Sequence, residues 1–559
     1  METPGGERHS TSRPRTGGWP AAIIIIGVEV AERFAYYGVM SNLITYLTGP
    51  LGESTATAAA DVNTWLGASA MIPFLGAFVA DSYLGRYRTV LLASILYFLG
   101  LLMLTLSASL PSLRPPDCTA LEGDAGLCPP PSQSQVFFFF ASLYMVAVAH
   151  GGYKPCIQAF GADQFDGRDP YESKSKSSFF NWWYFGICMG ILTALLILNY
   201  IQDNLGWVLG FGLPFISMGF ALGLLLLGSR IYRHQAPDEK CLSVRIARVV
   251  LELLRNRLLC IFSAAAAASG GARESLLPRN TQFKLSDDKA AVIIVDPHLS
   301  SPPLQVQAAD AASAMEEANG MLLLLPIWAA CLVYAVVFAQ PPTFFTKQGS
   351  TLERHIGGDF QIPPAALQGF ISVTIVLFLP VYDRVLVPAV RRITGNPSGI
   401  TMLQRIGLGM LLSVVSMAVA ALVEMKRLRT ARELGLVDLP AVALPMSLWW
   451  LVPQYVIFGV SEALTMVGLQ EFFYDQVPDG LRSLGLALYM SIFGIGSLLS
   501  GFLISTIDRV SLGKGESWFS DNLNRAHLDY FYWLLAGLSV AGLVVYLHFA
   551  RSYLYKKKT

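Results

Sequence analysis

The stretch VEVAERFAYYG, residues Val28 to Gly38, decides the fold class of this chain. It lies in the apolar run AAIIIIGVEVAERFAYYGVMSNLITYL, which is long enough to cross a bilayer as a helix. Glu29, Glu32 and Arg33 nevertheless fall within five positions. Because residues three and four apart are neighbours on a helix, the three charges lie on or beside one face. A charge at bilayer depth costs roughly 2.5–3.5 kcal/mol, so this face is predicted to meet water or partner groups and not lipid.

The composition is that of an integral membrane protein. The 559 residues are 53% hydrophobic and only 14% charged, with a mean hydropathy of +0.49, whereas soluble domains carry about 25% charged residues. The formal net charge of +1 gives no reason to expect a nucleic-acid partner. No CxxC motif or His/Cys cluster predicts a metal site. Cys118 and Cys128 share one short polar loop, where they form either a disulfide or two free thiols.

Hydropathy predicts an all-α chain with twelve membrane-spanning helices. The longest interruption, residues 230–318, separates six spans from six. The predicted spans are 20–47, 63–82, 89–109, 135–158, 178–201, 206–229, 319–340, 364–388, 402–424, 447–474, 483–506 and 529–550.

The spans and the polar segments divide the chain into five parts. The linker opens with a basic amphipathic helix and is otherwise polar, without a core-forming pattern. The placement of Lys and Arg puts the N-terminus in the cytoplasm. Lys426, Arg427, Arg429 and Arg432 disagree with this orientation. The five parts are a cytoplasmic tail (1–18), a six-helix bundle (19–229), a cytoplasmic linker (230–318), a second six-helix bundle (319–550) and a cytoplasmic basic tail (551–559).

The two halves contain related segments at equivalent places. FVADSYLGR after the second span resembles PVYDRVLVP after the eighth, with Asp81 and Asp383 at matching positions. GADQFDGRD after the fourth span likewise matches YDQVPDGLR after the tenth. This pattern indicates a duplicated six-span unit, as in the major facilitator fold, with a binding site between the halves near the midplane.

Two further ionisable residues lie within the spans. Lys154 is near the cytoplasmic end of the fourth span, where it reaches either the lipid headgroups or a cavity. Gly151, Gly152 and Pro155 favour the cavity, because they are predicted to loosen the helix. Glu462 has no basic neighbour within a helical turn, so it needs a proton or a cation from another helix. We interpret Lys154 as that cation, in a pair that closes the cytoplasmic side in one state.

The intramembrane charges predict proton coupling. Three carboxylates (Glu29, Glu32 and Glu462) and two cations (Arg33 and Lys154) sum to −1. One proton would neutralise the set, and a low-dielectric cavity favours the neutral form of a carboxyl group. A Glu–Arg pair that only packs the bundle is the alternative, but it would leave the second glutamate of the triplet unpaired.

The motifs around these residues resemble one transporter family. EVAERFAYYG contains the ExxERFxYY signature of the proton-dependent oligopeptide transporter family. LGAFVADSYLGRYRT, GGYKPCIQAFGADQFD and FFNWWYFGICMGIL are similar to its loop after the second span and to its fourth- and fifth-span motifs. With ITYLTGPLG and VPQYVIFGVSEAL, the resemblance covers residues 19–550 and is to the plant nitrate transporter/peptide transporter branch.

This resemblance implies a facilitator fold that couples a proton to a small solute by alternating access, with no cofactor besides the proton. Glu29, Glu32 and Arg33 would form the proton-coupling motif. Arg33 and Lys154 would bind the carboxylate of a peptide, and Glu462 would bind its amino group or pair with Lys154. Nitrate would need only the cations.

Tyrosine hydroxyls complete the predicted substrate site, and two positions depart from the family pattern. Tyr36, Tyr37 and Tyr334 are candidate ligand-binding residues, with packing as the alternative role of each. Cys188 replaces the asparagine of the FYxxINxG pattern, which removes a polar group from the fifth span. Phe338 stands where a nitrate-carrying relative has a histidine, so nitrate binding through that histidine is excluded.

The expected function is therefore a proton-coupled symporter of small nitrogen-containing solutes, nitrate or di- and tripeptides. The alternatives are a carrier of a larger organic acid such as a plant hormone, and a transport-inactive scaffold or sensor. No enzyme is expected, because no catalytic constellation occurs. By the same resemblance, Thr89 would be a phosphorylation site, with a kinase as partner; the alternative is a helix-start threonine. The expected location is the plasma membrane or the vacuolar membrane; the oligomeric state is left open.

Overall fold

The structure is a computed structural model that describes residues 17–114, 131–166, 169–233, 323–355, 360–395, 400–477, 482–513 and 515–553. Several sequence predictions lie outside these residues. They are the tail before residue 17, the amphipathic helix of the linker, the pair Cys118 and Cys128, and the basic tail after residue 553.

The first half of the chain is a bundle of helices that precedes residue 233. The sixth helix continues through a π-helical segment, Ala194–Leu198, into the seventh, so the two form one span. The helices are α1 (Gly18–Met40), α2 (Leu43–Thr48), α3 (Thr55–Val79), α4 (Arg86–Ser109), α5 (Gln133–Ala162), α6 (Pro170–Thr193), α7 (Asn199–Asn204) and α8 (Trp207–Leu227).

The second half, after residue 323, repeats this organisation. Two of its spans are also joined through π-helical segments, Pro341–Phe345 and Tyr382–Leu386. The helices are α9 (Leu325–Phe338), α10 (Thr346–Ser350), α11 (Gly369–Val381), α12 (Val387–Thr394), α13 (Met402–Glu433), α14 (Val452–Asp475), α15 (Arg482–Leu512) and α16 (Leu528–Ser552). The strands β1 (Leu352–Glu353) and β2 (Leu444–Ser447) form a short parallel pair.

Twelve helical segments of the described chain are long enough to cross a membrane. Eleven of them are apolar over a full span. The remaining one is α1, whose 23 residues include the three charges discussed above. Six segments belong to each half, so the predicted all-α class with twelve spans in two groups of six is confirmed.

Some predicted span ends differ from the observed helix ends. The second span begins at Thr55, eight residues before the predicted start, because the Ser54 hydroxyl accepts a hydrogen bond from the Thr57 backbone N–H and caps α3. The seventh span runs past Gln340 to Ser350 through its π-helical segment. The ninth span continues to Glu433, beyond the predicted end at residue 424.

The helical extension of α13 accounts for Arg427, one of the four basic residues that disagreed with the predicted orientation. Arg427 is fully buried at that end and forms an ion pair with Glu424, with Nη2 and Oε1 2.6 Å apart. It also donates hydrogen bonds to the Asn524 side chain (2.8 Å) and to the Leu523 carbonyl (2.6 Å). Gln348 donates to Glu424 at 2.8 Å. Arg427 thus joins three segments of the second half and is not a loop charge.

The two halves pack along α3 and α15 and make several polar contacts at the end opposite the N-terminus, which we call the outer end. Along α3 and α15 the backbones approach closely, because a Cβ on Gly67 would lie 2.9 Å from the Gly494 carbonyl oxygen. Polar contacts between the halves, among the described residues, are Lys347–Thr48 (3.0 Å), Arg354–Asp203 (3.6 Å), Gln368–Ser41 (2.9 Å), Thr55–Asp521 (2.7 Å) and Asn63–Ser500 (3.1 Å). The outer end is therefore closed in this structure.

Glu53 gives the outer end a pH-dependent stability. Burial, together with the nearby charge of Asp61, raises the pKa of the Glu53 carboxyl from 4.5 to about 8. The folded protein then keeps a proton that the unfolded chain has released, so the contribution of Glu53 to the free energy of unfolding is full below pH 4.5 and is lost as the pH rises to about 8.

We expect Glu53→Gln to reduce the fall in melting temperature between pH 5 and pH 8, because the amide does not ionise. The measurement is thermal unfolding of the detergent-purified protein across this range. Glu353→Gln, on the exposed position of β1, is the control. A pH slope in Glu53→Gln that equals the wild-type slope would contradict the assignment.

Candidate functional site

The charged triplet of α1 forms a buried ion cluster. Arg33 Nε donates a hydrogen bond to Glu29 Oε1 at 2.7 Å and lies 3.6 Å from Glu32 Oε2. Both glutamates are fully buried, and Arg33 is 9% exposed. The charges face the interior of the first bundle and not lipid, as the cost of a charge at bilayer depth requires.

A glycine of α6 makes room for this cluster. A Cβ on Gly190 would lie 2.7 Å from the Val30 carbonyl oxygen and 2.8 Å from Arg33 Cβ. The two helices therefore approach closely beside the guanidinium, because glycine places no side chain between them. The segment FGICMG, residues 185–190, thus supplies the small residues at which α6 packs against the charged face of α1.

Each of the two glutamates has one carboxylate oxygen without a hydrogen-bond partner among the described residues. These atoms are Glu29 Oε2 and Glu32 Oε2, both buried. A buried charged oxygen without a hydrogen bond is costly, and protonation of the carboxyl group removes that cost. These two oxygens are therefore the acceptor atoms of the cluster at which a proton could be added.

His150 of α5 completes the cluster and was missed in the sequence analysis. Its Nδ1 lies 2.7 Å from Glu32 Oε1, and the side chain is 1% exposed. The imidazole stacks on Tyr36 with ring centroids 4.1 Å apart, and Tyr36 stacks in turn on Trp65 at 5.5 Å. The available signal was a histidine within an apolar span, one helical turn before Lys154, since intramembrane ionisable residues are functional candidates.

Lys154 lies one turn along α5 from His150 and is half-buried. Arg33, Glu32 and Glu29 are its electrostatic neighbours. The predicted loosening of the helix at this point is wrong, since α5 runs without a break from Gln133 to Ala162. Gly151 instead lets α5 pack closely on α3, because a Cβ there would overlap the Ile72 side chain.

Glu462 of α14 lies among tyrosines from both halves. Its charge acts on the hydroxyls of four tyrosines, and no basic residue of the described chain is within 4.0 Å of its carboxylate. We call this group the Glu462 cluster. Its members besides Glu462 are Tyr37 on α1, Tyr184 on α6, Tyr334 on α9 and Tyr489 on α15.

The candidate tyrosines therefore divide between two places. Tyr37 and Tyr334 belong to the Glu462 cluster, at the boundary between the halves. Tyr36 is packed inside the first half against His150 and Trp65. The structure thus brings Tyr37, Tyr334 and Glu462 together, and it places Tyr36 with the ion cluster of α1.

The two departures from the family pattern make this boundary more apolar. Phe338 packs between Phe458 and Phe493, with ring centroids 6.2 and 5.0 Å away. Cys188 is half-buried, next to Tyr184. The boundary between the halves near Glu462 therefore combines one carboxylate and several tyrosine hydroxyls with a group of packed phenylalanine rings.

The predicted pair of Lys154 and Glu462 is not formed in this structure. Neither residue has an ion-pair partner within 4.0 Å among the described residues. The polar contacts at the outer end are thus formed in the same structure in which this pair is absent. The gating role of the pair stays a prediction.

Two further points from the sequence concern Thr89 and a metal site. Thr89 is 5% exposed, and its hydroxyl donates to the Gly85 carbonyl at 3.0 Å in the first turn of α4, so a phosphate there requires this turn to open. No group of three or more His, Cys, Asp or Glu side chains suited to a metal occurs in the part of the chain that the structure describes.

Comparisons with known proteins identify the family and the fold of this chain. The model of the POT family matches residues 87–519. The Arabidopsis thaliana proteins NRT1/PTR FAMILY 5.10 and 5.14 are 56% and 51% identical, covering 97% and 98% of this chain and 94% and 95% of their own lengths. An auto-inhibited POT family peptide transporter has the same fold, with a TM-score of 0.69 at 19% identity, over 96% of this chain and 98% of that one.

The solved POT family transporter PepTSo gives a similar result, with a TM-score of 0.68 at 20% identity, covering 96% of this chain and 99% of that one. The facilitator fold predicted from the internal repeat is thereby confirmed, as is the resemblance carried by the ExxER motif. This chain belongs to the POT family of membrane transporters, in the branch of the plant NRT1/PTR FAMILY proteins.

Proposed function

We propose that this protein is a proton-coupled symporter that moves a small nitrogen-containing solute, nitrate or a di- or tripeptide, by alternating access. The observation that carries the proposal is the buried cluster of Glu29, Glu32 and Arg33, which contacts a second helix through His150. A cluster with two carboxylates and one guanidinium can change its net charge by one when it binds a proton, without exposing charge to lipid.

The solute is proposed to bind between this cluster and the Glu462 cluster. Arg33 and Lys154 supply positive charge on the side of the first half, and Glu462 supplies negative charge on the side of the second half. A peptide has an ammonium group and a carboxylate that match this polarity. Nitrate would use only the cationic side, and protonated Glu462 would then remove the opposing charge.

Alternating access is proposed to follow from the asymmetric closure of the two ends. The outer end is held by polar contacts such as Lys347–Thr48 and Gln368–Ser41, whereas Lys154 and Glu462 are apart. In the opposite state, Lys154 and Glu462 would pair and the outer contacts would separate. Binding of proton and solute then shifts the population between the two states.

A larger organic acid, such as a plant hormone, is the second candidate solute. The packing of Phe338 against Phe458 and Phe493 favours it, because an aromatic wall beside Glu462 suits an apolar carbon skeleton better than nitrate. The role of a transport-inactive scaffold has no comparable support, since the charged groups needed for coupling are all present.

The test is two-electrode current recording in cells that express the protein, with the external pH stepped from about 7.5 to about 5.5 across the range that titrates intramembrane groups. Nitrate, a dipeptide and a hormone acid are presented in turn. We expect an inward current that grows with acidity for one of them. Surface expression without a current for any solute, together with no labelled uptake in isolated vacuoles, would contradict symport of these solutes.

A charge exchange tests the proposed gate. Lys154→Glu and Glu462→Lys should each reduce uptake by about tenfold or more, because each leaves two like charges to meet when the gate closes. The double variant should transport faster than either single variant. Lys154→Arg, which keeps the charge, is the matched control. A double variant that is as slow as the single variants, with an active Lys154→Arg protein, would contradict the pairing.

A further inference from the structure

We propose that His150 is a proton-relay residue that delivers the coupling proton to Glu32, an assignment that rests on the proposed proton-coupled function. His150 lies on α5 and Glu32 on α1, so the hydrogen bond between them joins two helices. The imidazole therefore connects the ion cluster of α1 to the helix that contains Lys154.

Aromatic stacking and one hydrogen bond fix the orientation of the imidazole ring. Its stacking on Tyr36, with an interplanar angle of 16°, aligns the ring, and the stacking of Tyr36 on Trp65 holds that tyrosine. Trp65 is itself anchored, because its Nε1–H donates to the Leu143 carbonyl of α5 at 3.0 Å. The Nδ1 atom is thereby directed at Glu32 Oε1, 2.7 Å away.

The relay conserves protons at every step. With Glu32 ionised, the neutral imidazole donates Nδ1–H to Oε1, and Nε2 is free to accept a proton. Protonation of Nε2 gives an imidazolium, which transfers the Nδ1 proton to Oε1. The products are a neutral Nε2–H imidazole and a protonated Glu32. The net result is the movement of one proton from one side of the ring to the other.

Protonation of Glu32 has a direct consequence for Arg33. The guanidinium lies 3.6 Å from Glu32 Oε2 but 2.7 Å from Glu29 Oε1, so neutral Glu32 leaves Arg33 paired with Glu29 alone. The charge of Glu29, Glu32, Arg33 and Lys154 then rises from zero to +1. A monovalent anion is attracted by this change, which links proton entry to the binding of nitrate or a carboxylate.

Ionisable groups of three helices surround His150 and Glu32. Glu32 and Arg33 on α1, together with Lys154 on α5, are its charged neighbours. The hydroxyls of Tyr36 on α1 and Tyr97 on α4 act on the same glutamate. Among these groups Glu32 is the acceptor in direct contact with the imidazole, so the proton passes to it.

His150→Asn separates the relay from simple positioning. The amide NH2 of asparagine can replace the Nδ1–H donor toward Glu32, but it cannot accept and pass on a proton. Proteoliposomes on a solid-supported membrane are exposed to pH jumps without solute, and the displaced charge is recorded. We expect the midpoint of this displacement in His150→Asn to shift by about one pH unit or more, a tenfold change in proton affinity.

Two further variants make the result decisive. His548→Gln, at an exposed position on α16, is the control and should match the wild type. Glu32→Gln should remove the displacement, and adding His150→Asn to it should change nothing more, because the two residues share one proton path. A His150→Asn midpoint equal to that of the wild type would overturn the relay. Absence of displacement in the wild type would instead overturn proton coupling itself.

Discussion

Glu32→Gln is expected to lower proton-driven accumulation of the solute on the order of 100-fold, the scale on which losing a positioned proton-transfer group acts. Glutamine keeps the size of the side chain and can still contact His150, so the helix packing is preserved. It cannot ionise, and Arg33 loses one of its two carboxylate partners permanently. The measurement is uptake of labelled solute into cells at external pH 5.5 and 7.5.

Exchange of external for internal solute serves as the internal control for Glu32→Gln. Exchange needs no net proton movement, so the variant should retain it when driven accumulation is lost. Glu433→Gln, an exposed change at the end of α13, should behave as the wild type. Equal losses of exchange and accumulation would point to a damaged fold, and normal accumulation would remove Glu32 from the coupling path.

Arg427→Ala is expected to lower the free energy of unfolding by about 3–5 kcal/mol, because it leaves a buried carboxylate without its partner. Glu424 is completely buried beside Arg427, and the carbonyl of Leu523 and the side chain of Asn524 also lose their donor. The measurement is thermal and denaturant unfolding of the purified protein in detergent.

Arg429→Ala provides the matched control for Arg427, since Arg429 is exposed on the same helix. It should change stability by less than about 0.5 kcal/mol, as surface substitutions usually do. Arg427→Lys should lie between the two, because an ammonium restores the charge but not the forked hydrogen bonds to Glu424. An Arg427→Ala protein as stable as Arg429→Ala would show that the network does not hold the outer end.

The fold could be predicted from the sequence to the extent that its signals are local. Each span is a continuous apolar segment, which hydropathy identifies. The charged residues of the α1 triplet are up to four positions apart, so helical spacing predicts that they are neighbours. The predicted span ends differ from the observed ones where caps and π-helical segments decide them. Ser54 starts α3 early, and Pro341–Phe345 carries the seventh span past Gln340.

The parts of the site that were missed depend on contacts between distant segments. The partner of His150 is 118 positions away, and nothing near the histidine indicates which carboxylate it meets. Arg427 lay beyond the predicted end of its span, and its partner Asn524 is 97 positions away in the sequence. Tyr36 and Tyr37 are adjacent in sequence, yet one packs on His150 and the other faces Glu462.

Proton flux during solute entry tests the central claim most directly. Purified protein is reconstituted into liposomes that contain a pH-sensitive dye, and nitrate, a dipeptide or a hormone acid is added outside at equal pH. Symport predicts that the lumen acidifies with the transported solute and that Glu32→Gln abolishes this acidification. Solute entry without acidification, or equal acidification in the wild type and in Glu32→Gln, would contradict proton-coupled symport through the α1 cluster.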